Sequence, residues 1–172
     1  MVLTKDELIA ALKNEVRILL HLASKVDPSQ VDYRPSANQR STLELLQYLT
    51  IMAPIHLRGT LADSFDIEVW RSAWNMGEAT AKTLNLEAAK DAIAKHTALF
   101  DELLGACSDA DLRAEIAMFG YKASRGSMLV SLVLNHYVAY RMQLFLYLKM
   151  SGREELNTMN LWAGMDSRPA AQ

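Results

Sequence analysis

From residue 8 onward apolar side chains return every three or four positions: Leu8, Leu12, Val16 and Leu19. That is the helical period. Thr4-Lys5-Asp6-Glu7 ahead of it forms a capping box, in which Thr4 and Glu7 satisfy orphan backbone amides reciprocally. A first helix is predicted to about Lys25. The stretch 26–40 then breaks the period: Pro28 and Pro35 forbid regular continuation, and Asp, Ser and Asn favour turns. Ser41-Thr42-Leu43-Glu44 repeats the capping signature and opens a second helix carrying Leu45, Leu46, Leu49, Met52 and Ile55. Pro54 is predicted to kink it, because its ring clashes with the carbonyl four residues back.

The segment 66–84 has no clean period, only aromatic anchors at Trp70 and Trp74 and a breaking Gly77. Asn85 caps a third long helix, whose Leu86, Ala89, Ile93, Leu99, Phe100 and Leu103 trace one side until Gly105 ends it. Residues 108–127 read as a connector with one helical turn and an irregular crossover. The last helix runs from about Ser127 to Gly152, a natural C-terminal cap. In the tail, Leu161, Trp162 and Met165 are expected to fold back on the body. No β-type alternation persists long enough for a sheet. The expected class is all-α: one domain over 1–172, a four-helix bundle core at about 4–152 and a packed C-terminal tail at 153–172.

Composition narrows the function classes. The chain has 172 residues, 51% hydrophobic and 22% charged, enough to bury a core without staples. Net charge is −2, and no Lys/Arg cluster appears, so nucleic acid is excluded as a partner at this stage. Lys5, Asp6 and Glu7 stand where a signal peptide would need an apolar run, and Asn135, His136, Arg141, Gln143 and Lys149 interrupt the most apolar helix. No membrane partner is expected. Cys107 is the single cysteine, which fits a reducing cytoplasm. There is no phosphate-binding glycine loop and no G-x-S-x-G elbow.

The chemistry-bearing residues fall on helical stripes. His136, Tyr140, Gln143 and Tyr147 follow i, i+4, i+7, i+11 spacing on the last helix. Glu44 and Tyr48 are four apart on the second, and Asn14, Arg17 and His21 share a stripe on the first. If these stripes converge, the bundle encloses Glu44, Tyr48, His136 and Tyr140, with Arg17 and His21 as further ligand-binding candidates. Each has a plainer role available. A core Tyr supplies packing area and one hydroxyl bond, Glu44 can cap Ser41, and His21 can satisfy carbonyls at a helix end. His56 and His96, without polar companions, read as surface or boundary residues.

"STLELLQYLTIM" and "LNHYVAYRMQLFLYLK" together resemble the DinB/YfiT-like superfamily of metalloenzymes. Its second helix commonly opens S-x-x-E-x-L-x-H-L and its fourth carries H-x-x-x-H-x-x-Q. The resemblance runs from the first helix to Gly152 and includes "YRPS" before the second. It implies an up-down-down-up four-helix bundle, often a homodimer, with three histidines around a divalent metal such as zinc or nickel. Those three positions fall on Tyr48, His136 and Tyr140, and the motif's Gln on Gln143, so one imidazole of three remains. Neutral imidazole ligates zinc or nickel as it stands, whereas a phenol with a pKa of about 10 must first lose its proton.

Three readings follow from that departure. The first keeps the family pocket without its metal and without a cofactor: Tyr48, His136 and Tyr140 bind a small polar ligand, with His136 as general acid or base. The second is a metal-dependent transferase- or isomerase-like enzyme with an atypical His/Tyr/Glu site; two phenolates, His136 and Glu44 would suit a hard ion such as ferric iron. In the third the cluster seals a core, and the protein is structural or acts through dimer formation.

Overall fold

The computed structural model describes residues 3–167, and the chain is mostly helical, as expected. Helix α1 spans Lys5–Ala23, α2 Thr42–Leu61 and α3 Ile67–Ala81. Then come α4 at Leu86–Ala94, α5 at His96–Gly105 and the short α6 at Asp109–Arg113. Strands β1, Glu115–Met118, and β2, Tyr121–Ser124, precede α7 at Arg125–Leu129. A π-helical turn over Val130–Leu134 joins α7 to α8, Asn135–Met150. Both predicted capping boxes form: Thr4 and Ser41 each accept an amide from the glutamate three residues on and receive its carboxylate in return.

Helices α1 and α2 each pack against α4–α5 and against α8. The four columns enclose a core that includes Leu12, Val16 and Leu19 of α1, Leu45, Leu49 and Met52 of α2, Ile93 and Phe100 of α4–α5, and Val133, Tyr137 and Leu144 of α7–α8. Helix α3 lies on the outside of α2. Among the described residues no helix is long and apolar enough to cross a membrane.

The predicted third helix is interrupted at Lys95, and the next residue, His96, meets across the core the turn of α2 that contains Pro54. Proline has no N–H, so the Thr50 carbonyl four residues earlier loses its helical partner. Helix α2 continues through Pro54, and that carbonyl accepts instead from His96 Nε2 at 3.0 Å. A carbonyl can only accept, so the proton sits on Nε2, and Nδ1 takes the Tyr137 hydroxyl at 2.5 Å. His96 is therefore a buried core link between α2, α5 and α8, not the surface or boundary residue its sequence context suggested.

The connector also holds more structure than expected. Residues 115–118 and 121–124 pair antiparallel, with Glu115 opposite Ser124 and Met118 opposite Tyr121. Phe119 (φ +51°) and Gly120 (φ +86°) make the tight turn, both in the left-handed region that two-residue hairpins use. Ile116 and Met118 bury their side chains with Met128 in a small second core. Arg125 ties this end to α2, donating to the carbonyls of Thr60 at 3.1 Å and Ala62 at 2.7 Å.

The tail folds back along α1. Leu156 and Leu161 are buried, while Trp162 and Met165 stay exposed. Gly164 passes so close to α1 that a Cβ there would lie 2.9 Å from Arg17 and 3.0 Å from the Ile18 Cα. Residues 168–172 of the predicted tail lie outside the described residues.

One charge pair sits inside this framework. Arg141 Nε lies 3.2 Å from Glu15 Oε2, with the two side chains only 4% and 12% exposed. Arg141→Ala would strand the Glu15 carboxylate and is expected to destabilise the fold by about 3 kcal/mol. The double change Arg141→Met with Glu15→Leu should recover most of that loss, because a packed apolar pair avoids the desolvation penalty. Urea unfolding of the three proteins checks both values.

Candidate functional site

Helices α2 and α8 face each other, and the side chains they present across the gap are Tyr48 and His56 from α2 and His136 and Tyr140 from α8. The Tyr48 and Tyr140 rings lie 4.9 Å apart between centroids, and His136 and Tyr140 lie 5.9 Å apart. The three positions singled out in the sequence thus come together. His56 joins them, with its ring 5.5 Å from that of His136. It was missed as a boundary residue, yet Tyr48, Met52 and His56 follow i, i+4, i+8 spacing, so the stripe itself was the available signal.

Helix α3 covers the outer side. Trp70 and Trp74 stack at 5.0 Å, and Trp74 lies 5.7 Å from Tyr48 and 5.8 Å from His56. Phe119, at the hairpin tip, closes on Trp70 at 5.2 Å and on His56 at 6.2 Å. His56 is 6% exposed. Two polar atoms inside this aromatic wall, His56 Nδ1 and Trp70 Nε1, are buried without a hydrogen-bond partner. On the other side of Tyr48 a cavity of about 460 Å³ opens between α2, α3 and the loop before α2. Arg40, Glu44, Gln47, Glu78 and Lys82 line it with Tyr48, and the Arg40 guanidinium sits 4.2 Å above the Tyr48 ring.

The remaining sequence candidates go elsewhere. Glu44 lines the cavity, but its carboxylate caps the Ser41 amide at 2.9 Å and takes a two-pronged contact from Arg34, 2.7 Å on each oxygen. Gln143 donates to the Tyr147 hydroxyl at 2.6 Å, and Tyr147 packs against Tyr33. Arg17 donates to the carbonyls of Ala163 and Gly164, and His21 contacts Asn160 and Asp166. Arg17 and His21 therefore hold the tail on α1 and are not part of the site. The sequence spacing identified their shared stripe correctly but not the neighbour it meets.

The three-histidine metal implied by the resemblance does not fit these residues. Burial first, and then the adjoining Tyr140 hydroxyl, push the Tyr48 phenol well above its ordinary pKa, which opposes the deprotonation that ligation requires. Among the described residues no three His, Cys, Asp or Glu side chains are grouped to hold one ion. Glu44 is already committed to Arg34, and that removes the carboxylate a ferric site would draw on.

No family model matches the chain, and no curated protein matches it. Solved structures do. A DinB-like protein from Bacillus cereus is 16% identical with a TM-score of 0.69, covering 88% of this chain and 95% of its own. The DinB-like protein YjoA from Bacillus subtilis is 17% identical at 0.65, covering 87% and 94%. The colibactin self-resistance protein ClbS, solved in complex with dsDNA, is 16% identical at 0.63, covering 85% and 96%. The chain therefore has the DinB-like fold. The exclusion of nucleic acid made from the sequence does not stand, because ClbS shares this fold and is bound to dsDNA. Cations counted along a chain say little about a helical protein, in which basic side chains gather in space rather than in sequence.

All four histidines have lowered pKa values, with burial the first cause in each. His56, which also faces His136, and His96 fall to about 4. The unfolded chain takes up protons below about pH 6.5 while the folded chain refuses them, so stability present above pH 6.5 is lost as pH falls towards 4. His56 and His96 should each contribute up to about 2 kcal/mol of that loss by pH 5. Urea midpoints at pH 7 and pH 5 measure it, and equal midpoints would contradict the assignment.

Proposed function

We propose that this chain is a small-ligand-binding, enzyme-like bundle whose site lies at Tyr48, His136 and Tyr140, without the family's three-imidazole metal. What carries the reading is the meeting of those three residues on facing helices, with Tyr48 among them also lining a cavity large enough for a small organic molecule. The site keeps its position in the fold while its donors have changed from imidazole to phenol. Tyr48 and Tyr140 offer ring faces and hydroxyls, and His136, half-buried and kept towards its neutral form by burial, offers a proton-accepting nitrogen. The reading includes the homodimer implied by the resemblance and the cytoplasmic setting that a lone cysteine suits. It is tested by a thermal-shift screen of small polar aromatic compounds. Compounds that raise the melting temperature of the wild type are expected to lose their effect in Tyr48→Ala and His136→Ala and to keep it in His21→Ala. A screen in which no hit depends on Tyr48 or His136 would overturn it.

A second reading is favoured by one observation, the dsDNA complex of ClbS. In it this chain also binds duplex DNA. Fluorescence anisotropy with a labelled duplex should then show binding that weakens steeply as salt rises, since phosphate contacts release counterions. Anisotropy that stays flat at low salt would remove it.

A further inference from the structure

The cavity beside Tyr48 carries one cation that its neighbours leave unpaired. Arg40 lines it, and its guanidinium lies 4.2 Å from the centroid of the Tyr48 ring. Among the described residues that ring is its only partner: the Arg40 side chain makes no hydrogen bond and no ion pair. The acids on the lining are drawn to other cations. Glu44 holds Arg34 and caps Ser41, Glu78 pairs with Lys82 at 3.5 Å, and Asp32 lies in the field of the same Arg34. The backbone around Arg40 is tied down on both sides. Arg34 donates to the Gln39 carbonyl at 2.9 Å, and the Thr42 and Leu43 amides donate to the carbonyls of Tyr33 and Val31 at 3.0 and 2.9 Å. Gln47, 7% exposed, gives its amide N–H to the Leu84 carbonyl at 2.8 Å, joining α2 to the loop after α3. The pocket is therefore formed before anything enters it.

We infer that this cavity takes a small monoanionic carboxylate, with Arg40 holding the carboxylate and the ligand's apolar body lying against Leu43, Ile51 and Ala81 of the lining. The inference rests on the small-ligand reading and names the class of ligand. A guanidinium presents a planar fork of N–H donors that matches the two oxygens of a carboxylate. Its place over the Tyr48 ring already restricts the long side chain, so less freedom is lost when a carboxylate binds. One unpaired cation matches one negative charge. A phosphate monoester carries close to two, and Asp32, Glu44 and Glu78 on the same lining oppose the second. A neutral amide keeps the shape of the acid but forfeits the charge-assisted bond, which is about twice as strong as a neutral one.

Matched pairs test it: phenylacetate, hydrocinnamate and cyclohexylacetate, each against its own amide, with phenyl phosphate as the dianion. Each compound is titrated into isotope-labelled protein, and the amide resonances of residues on the cavity lining give its Kd. At least one carboxylate is expected to bind about tenfold more tightly than its amide, or about 1.4 kcal/mol, and more tightly than phenyl phosphate. Added salt should shrink that preference. Arg40 is exposed, so Arg40→Gln should keep the circular dichroism of the wild type, abolish the preference and leave amide binding unchanged. Arg40→Lys, which keeps the charge without the fork, should retain only part of it. His21→Ala should change nothing. Amides that bind as tightly as their acids would overturn the carboxylate and leave the ligand site at Tyr48 standing, since that site is tested by its own variants. A preference that survives Arg40→Gln, tighter binding of phenyl phosphate, or no binding by any of these compounds would overturn the inference as well.

Discussion

The rotational setting of α8 is the constraint on which the site depends. Two residues one helical turn apart fix it from the buried side. Tyr137 is fully buried and donates to His96, and Arg141 reaches Glu15 on α1. A buried phenol needs its hydrogen bond and a buried guanidinium needs its counter-charge, so rolling the helix would cost the Tyr137–His96 bond or the Arg141–Glu15 ion pair. His136 and Tyr140 are the residues immediately before these two pins, about 100° around the helix. Fixing the pins therefore turns His136 and Tyr140 towards α2, where Tyr48 and His56 meet them.

The first pin rests in turn on a residue that helices normally avoid. Pro54 removes a donor from α2, the Thr50 carbonyl passes to His96, and His96 then has one tautomer left with which to accept Tyr137. A local defect in α2 thus becomes a polar link through the core to α8.

Much of the helical framework was legible because its signals are local. Thr4 and Glu7, Ser41 and Glu44, and Asn85 announce helix starts through bonds they make within four residues. The hairpin was not legible. Its strands are four residues each, and a Phe119-Gly120 turn lacks the Asn-Gly or Asp-Gly signature that usually marks such a bend. In the site, spacing revealed which side chains share a stripe but not what lies opposite. Tyr48, His136 and Tyr140 met as expected, whereas Arg17 and His21 face the tail. His56 and His96 were undervalued for the same reason, since the companions that define them, His136 and Thr50, are distant in sequence.

A shared fold at 16–17% identity with the Bacillus proteins and ClbS fixes the placement of helices and leaves the donors free to change. The α2–α8 gap shows how. The phenol rings at 48 and 140 pack against each other across the gap, beside the imidazoles of His56 and His136. The Tyr48 hydroxyl is costly to ionise, because burial raises its pKa. Selection on chemistry can therefore act at these four rings without disturbing the core residues beside them. The shared fold places these rings without naming a function, because function resides in the groups a site carries and not in the helices that hold them.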